Sequence, residues 1–391
     1  MSMVTRNLAL SVLLLAFFSF SCARYVADSD CVPIIPANTI PIKADISELV
    51  DSITYVQLET DQRCLLGLID KVIYADNHLF VKSLNGLFVF EQNGAFVSEI
   101  GKRGRGPNEY LHIDAFFVDE QKGEVAIICS NKQRILYYDY DGQFIRSVGF
   151  NSPCTGIIHH ALSLPDGSIL ANYKLSSYYY PTDALYRHIS FNSIGAMAEL
   201  IFPSVDLDTD KKGINSYLYS PMVEYKSEIL ALLPISNRIL SFEEGRMNAK
   251  YKVVTPKTLP DKQFVKKEWK GSVPQFVASA ISAGFSPGIQ SVYSSDDYLF
   301  LKIGNDIVVW DGCDSVILGN VSDMAMNIAG GALFSGISDA CWGVYEAGFL
   351  LNVEEKISVT QLASIIERLS DDSNPVVFRY HFKDDLIKNL D

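Results

Sequence analysis

Leu87-Phe88-Val89-Phe90-Glu91-Gln92-Asn93-Gly94-Ala95-Phe96-Val97 reads as two apolar strands around a tight turn, and it decides the fold. Asn-Gly is the dipeptide that best supplies positive φ in a two-residue hairpin. A near copy follows at Ile135-Leu136-Tyr137-Tyr138-Asp139-Tyr140-Asp141-Gly142-Gln143-Phe144-Ile145, with Asp-Gly in the turn. Weaker copies run from His188 to Gly195, Arg238 to Gly245 and Ile307 to Gly312. The turn glycines at 94, 142, 195, 245 and 312 are separated by about 48, 53, 50 and 67 residues. A further strand pair precedes each unit, as in Val72–Val81, Ala161–Leu170 and Ser291–Leu301. Four strands in about 50 residues make one blade of a β-propeller.

Working outward, Gly343–Leu351 and Pro375–Phe382 supply the inner hairpin and a late strand of a degenerate sixth unit. Ser52–Leu58 belongs to no complete local unit. It is expected to join the last blade and close the ring, removing the edge that an open sheet would expose. The expected fold is therefore all-β: a six-bladed propeller of four-stranded blades over residues 45–391, closed by an N-terminal strand. Small helical insertions interrupt it. Asp261–Gly284 spaces Phe264, Trp269, Phe276 and Ile281 for one or two helices, and Ser358–Leu369 places Leu362, Ile365, Ile366 and Leu369 on one helical face.

At the N-terminus, Arg6 precedes the apolar run Leu8–Phe18, which is too short to span a bilayer and reads as a signal peptide. Ser19-Phe20-Ser21-Cys22 resembles a bacterial lipoprotein cleavage site in a looser form, with Ser19 where a strict motif has Leu. That likeness implies lipidation of Cys22, a signal peptide at residues 1–22 and a cell-envelope, outer-membrane address on the periplasmic or surface face. Residues 23–44, with Pro33, Pro36 and Pro41, read as a tether.

Composition narrows the partners. A net charge of −13 argues against nucleic acid, because binding phosphates needs a basic face that releases counterions. Six cysteines remain after Cys22, widely spaced and without a CxxC pair, so no structural zinc site is expected; disulfides stay open. No HxH or HExxH spacing, no nucleophile elbow and no phosphate loop is present, so neither a metal nor a cofactor is expected.

Four stretches are similar to the six-bladed, NHL-like β-propeller lipoproteins of unknown function found in Bacteroidales. They are Leu49–Thr60, Ile69–Val72, the Gly-Arg-Gly-Pro-x-Glu-Tyr element within Gly101–Tyr110, and Asp372–Val377. Asn108 stands where that pattern usually has Gly. The resemblance implies a propeller and an extracytoplasmic address, and no established reaction.

Candidate ligand-binding residues follow. Arg103, Arg105, Glu109 and Tyr110 lie between the first two blades: Arg105 could grip a carboxylate or sugar hydroxyls at the channel mouth, or pair with Glu109 to bridge blades around Tyr110. His159, beside His160, opens the third blade; neighbours on a regular strand face opposite ways and cannot share a metal. Tyr178, Tyr179 and Tyr180 form an aromatic loop suited to sugar rings or protein anchors. The expected function is a recognition module, anchored to the membrane through lipid on Cys22, for a glycan, peptide or envelope protein. The alternative is a carbohydrate-active hydrolase or lyase with channel-facing carboxylates.

Overall fold

The computed structural model describes residues 31–44, 46–150, 156–164, 167–175, 186–191, 197–202, 222–243, 246–295, 297–319, 342–352, 360–388 and 390. After β1 (Val32–Ile34) and β2 (Val50–Gln57), the chain runs through consecutive antiparallel sheets. The first holds β3 (Ile69–Ala75), β4 (His78–Ser83), β5 (Leu87–Glu91) and β6 (Phe96–Glu99). The second holds β7 (Ala115–Asp119), β8 (Glu124–Cys129), β9 (Arg134–Asp139) and β10 (Phe144–Gly149). The third holds β11 (Gly156–Ser163), β12 (Ile169–Leu175), β13 (Tyr186–Phe191) and β14 (Met197–Phe202). The fourth holds β15 (Met222–Tyr225), β16 (Glu228–Leu232), β17 (Arg238–Glu243) and β18 (Arg246–Val253). The fifth holds β19 (Ser291–Ser294), β20 (Leu299–Ile303), β21 (Asp306–Trp310) and β22 (Ser315–Leu318). A terminal sheet is ordered β2, β24 (Val376–Phe382), β23 (Trp342–Tyr345).

The architecture is an all-β propeller. The two hairpins that announce it share their register: Phe90 pairs with Phe96 across one turn and Tyr138 with Phe144 across the other. Both aromatic pairs meet edge to face at 5.8 Å. The apolar clusters lie between consecutive sheets. Leu87, Tyr110, Phe116 and Tyr138 fill the seam of the first and second sheets, and Val56, Cys64, Phe88 and Val377 that of the terminal and first sheets. Tyr55, Phe300, Val309 and Phe378 join the fifth and terminal sheets.

Three expectations are corrected. The sheets are not uniformly four-stranded: β1 adds to the fourth as a fifth strand, and the terminal sheet has three described strands. Residues 32–44, read as tether, pack as a strap. β1 lies parallel to β18, and Ala37, Asn38 and Ile42 then bond the backbone of Ser315 and Ile317 on β22. Asn38 serves both sides of one peptide plane row, accepting from Ile317 N at 2.7 Å and donating to Ile317 O at 2.9 Å. Prolines that looked like linker residues are tolerated because an outermost strand leaves half its N–H groups outside any ladder. Finally, Gly348–Leu351 is not the return strand of a hairpin but part of a short helix, Ala347–Leu351. In β23, opposite Phe378, a glycine is needed at 343, where a Cβ would overlap the ring of Phe378.

The helical insertions follow expectation. Helices span Lys262–Glu268 and Val273–Ser282, the first capped by Asp261, which accepts from Phe264 N at 2.7 Å. A third covers Thr360–Ile366, with Leu362 and Ile365 buried. Among the described residues no helix is long and apolar enough to cross a membrane.

Candidate functional site

Strands alternate in direction, so the loops entering each sheet and the turns between second and third strands share one end of the propeller. At that end lies Gly101–Tyr110, between β6 and β7. The loop is held by its own atoms. Gly104 N donates to Tyr110 O at 2.8 Å, Tyr110 N to Lys102 O at 3.1 Å, and Gly106 N to the Glu109 carboxylate at 2.7 Å. A Cβ on Gly104 would overlap that carboxylate, so glycine there leaves the room that Glu109 occupies. From the second sheet, Lys132 Nζ donates to Glu109 O at 2.7 Å and Tyr138 Oη to Asn108 O at 2.8 Å. Tyr110 is buried between the sheets, and burial, with the charge of Glu99 adding, pushes its phenol up to about 12.

Glu109 closes its own loop rather than bridging to Arg105, and Tyr110 is an inter-sheet contact. Arg105 is exposed, with no ion pair or hydrogen bond among the described residues. Arg103 reaches sideways and donates to Leu84 O at 3.1 Å.

Leu84 opens onto a feature that the sequence reading missed. Leu65, Leu68 and Leu84 are 47%, 65% and 63% exposed. The backbone draws them together: Leu84 N donates to Leu68 O at 3.1 Å, and Asn85 Nδ2 to Leu65 O at 2.8 Å. The loop that carries Leu65 and Leu68 is pinned by Asn374, which is 2% exposed. Its side chain accepts from Leu66 N at 2.9 Å and donates to Glu59 O at 2.6 Å and Cys64 O at 2.8 Å. Nearby, a polar groove of about 480 Å³ is lined by Gln57, Thr60, Asn93, Arg368 and Ser373.

On the inner strands, Lys71 Nζ of β3 lies 2.9 Å from His160 Nε2 of β11, spanning from the first sheet to the third. An ammonium has only donors, so Nε2 accepts and the imidazole proton sits on Nδ1. Three acids of the first two sheets are engaged, Asp70 with Lys82, Asp119 with Lys122 and Glu124 with Arg146, while burial pushes the carboxyl of Glu99 on β6 up. Among the described residues no three His, Cys, Asp or Glu side chains converge.

Residues 30–381 match the model of a family described as a domain of unknown function, DUF4934. The chain belongs to that family. The DUF4934 chain is similar to the crystal structure of a Bacteroides fragilis NCTC 9343 protein described as exported. The TM-score is 0.65 at 19% identity, over 90% of this chain and 100% of that one. It is also similar to a member of the DUF4221 family from Bacteroides vulgatus ATCC 8482, with TM-score 0.52 and 10% identity over 86% and 98% of the two chains. At these identities the likeness shows the fold. No curated protein matches the DUF4934 chain.

Of the remaining predicted site residues, His159 lies in β11 where the register slips: Ile158 faces Tyr173 and His160 faces Asn172, leaving His159 as the extra residue of a bulge. Tyr178, Tyr179, Tyr180 and Cys22 lie outside the described residues. Cys129 behaves as a buried small hydrophobe, its thiol pushed up to about 12 by burial. No disulfide joins Cys31, Cys64, Cys129 or Cys313.

Proposed function

We propose that this DUF4934 protein is a lipid-anchored, extracytoplasmic recognition module that docks an envelope protein or peptide on the loop end of a six-bladed ring. The observation that carries the reading is the exposed cluster of Leu65, Leu68 and Leu84 beside Arg103, whose loop also carries the exposed Arg105. Clustered exposed leucines lose free energy to water, at roughly 25 cal/mol per Å², unless something covers them. The loop of Leu65 and Leu68 is pinned by Asn374 and the arginine loop by Glu109 and Lys132, so a partner would not have to order them on binding. The chemistry fits a partner surface of apolar residues flanked by carboxylates, which the arginines would steer and hold.

The closed six-bladed reading is supported by a repeated contact. The turn glycine of the second sheet presses on the backbone of Glu99 at the end of β6, and that of the first presses in the same way on Gln57 at the end of β2. β2 thus takes the place of an outer strand of the sheet preceding the first. In a ring so closed, lipid on Cys22 would leave only residues 23–31 as tether, a reach of about 30 Å. The ring would then stand close to the membrane, with the strap leaving from its side.

The alternative of a carbohydrate-active enzyme needs paired acids, whereas Asp70, Asp119 and Glu124 of the first two sheets are each held singly by lysine or arginine. The test is native gel electrophoresis of the protein extracted from its own envelope. Wild type is expected in a complex larger than the monomer, and Leu68→Asp with Leu84→Asp as monomer. A monomeric wild type, or a complex unaffected by the two aspartates, would overturn the proposal.

A further inference from the structure

The strap and the helical insertion share one stretch of the outer rim, between the fourth and fifth sheets. β1 is the outermost strand of the fourth sheet, and the chain passes from it to β22, the outermost of the fifth. Pro33 lies level with Lys252 in the parallel pairing, so on the same face Ile35 comes level with Val254. Ile35 and Val254 are exposed, as is Val32, and Ile40 at 81% is the most exposed large apolar side chain among the described residues. Thr39 and Pro41, on either side of Ile40, line a cleft with Thr255 and Lys257. The helix Lys262–Glu268 stands beside that cleft, Phe264 meeting Phe285 of its wall at 4.9 Å.

The same rim reverses the protein's charge. In a chain of net charge −13, residues 250–270 hold seven lysines against two acids, Asp261 and Glu268. Asp261 caps the helix, Glu268 pairs with Lys267, and Lys250 is held by Glu228 and Glu243. Lys257, Lys262 and Lys270 are exposed and form no ion pair among the described residues. Asp306, which lines the cleft with Lys257, is itself engaged. At physiological salt the Debye length is about 8 Å, so acids beyond that reach do not cancel the patch.

We propose that this rim docks on an anionic lipid bilayer, with Ile35, Ile40 and Val254 entering the headgroup layer and Lys257, Lys262 and Lys270 meeting lipid phosphates. Aliphatic tips beside lysines without acid partners are the chemistry of that interface: the tips leave water, and the ammonium groups stay in it beside the phosphates. The position of the strap selects a bilayer over a protein. The described chain enters the fold on this rim at Val32, and only residues 23–31 separate it from Cys22, so lipid there would hold the patch at the membrane surface. The inference rests on the proposed function for that anchor alone and would survive failure of the leucine docking.

The test is co-sedimentation of residues 23–391, which carry every described element and no lipid, with vesicles in which about a third of the lipid is phosphatidylglycerol and the rest phosphatidylcholine. Thermal unfolding first checks that each chain is folded, and the substituted side chains are all exposed. Binding is expected, and it should fall at least tenfold on vesicles of phosphatidylcholine alone. The triple variant Lys257→Glu, Lys262→Glu, Lys270→Glu should lose at least tenfold, since one lysine near such a surface is worth about fivefold. Ile35→Ser with Ile40→Ser should lose about fivefold, the cost of two aliphatic side chains left in water. Leu68→Asp with Leu84→Asp should change nothing, which separates this rim from the loop end. No binding to the anionic vesicles would overturn the proposal, as would equal binding to neutral ones or binding that the lysine variant leaves unchanged. Binding lost in the leucine variant instead would overturn the assigned rim. Because the chain tested has no lipid, failure of lipidation at Cys22 leaves this readout unaffected.

Discussion

Gly94 rests on the carbonyl oxygen of Gln57 so closely that a Cβ at that position would overlap it, and its φ is +90°. Gly142 stands in the same relation to Glu99 O, at φ +80°. The Asn-Gly and Asp-Gly turns therefore do two jobs. They close a hairpin, and they let one sheet lie against the backbone of the sheet before it.

Gly94→Ala should consequently cost roughly 3 kcal/mol or more, combining a left-handed backbone with a backbone overlap that no side chain can relieve. Gly123 has a comparable φ of +61° but open space around it. Gly123→Ala should cost only about 1 kcal/mol. Urea unfolding of the two variants checks the difference; equal losses would mean that the contact with Gln57 contributes nothing.

The loop that presents the leucines hangs on one amide. Asn374→Ala leaves the buried carbonyl of Cys64 and the N–H of Leu66 without this partner and Glu59 O with the Cys64 thiol alone. The expected loss is on the order of 3 kcal/mol, with faster proteolysis within residues 58–68. Unchanged cleavage there would show that the loop is held by other contacts.

Arginine and glutamate in the Gly101–Tyr110 loop should separate cleanly. Arg105→Ala should alter stability by no more than about 0.5 kcal/mol, because the side chain is exposed and unengaged. Glu109→Ala should cost about 1 to 2 kcal/mol and accelerate amide exchange at Gly106, whose N–H it accepts. Exchange measured by mass spectrometry decides between a stiff loop and a loose one.

Alkali should unfold the protein through its tyrosines. Burial pushes the phenols of Tyr55, Tyr110 and Tyr137 up to about 12, whereas the unfolded chain ionises them near 10. A raised folded pKa means that the folded state holds its protons longer. Their contribution to stability is thus complete below about pH 10 and is lost as pH rises toward 12. Phenolate absorbance should show a late class of tyrosines that ionise only as the far-ultraviolet signal collapses. A single titration near pH 10 with the fold intact would contradict this.

How much of this was legible in the sequence depended on whether the cause was local. The hairpins announced themselves because turn chemistry and alternation lie within eleven residues. For Tyr110 the sequence left a ligand contact and packing between blades both open, and its burial between the first two sheets comes from contacts with Leu87, Phe116 and Tyr138. The strap could not be read so, because an edge strand pairing in parallel over three residues, among prolines, leaves no alternation to detect. Asn374 was quoted only as part of a family-like stretch, since its partners lie 308 to 315 residues away. The leucine cluster was equally hidden: exposure follows from the tertiary path, and Leu65 and Leu68 in sequence resemble any core residues.

Site-specific photo-crosslinking in the native envelope tests the central claim most directly. A photoreactive residue at position 68 should yield one discrete adduct that disappears in Arg105→Glu, while the same residue at Lys122, on the opposite end of the propeller, yields none. Adducts from both positions alike, or none from position 68, would contradict recognition through the loop end.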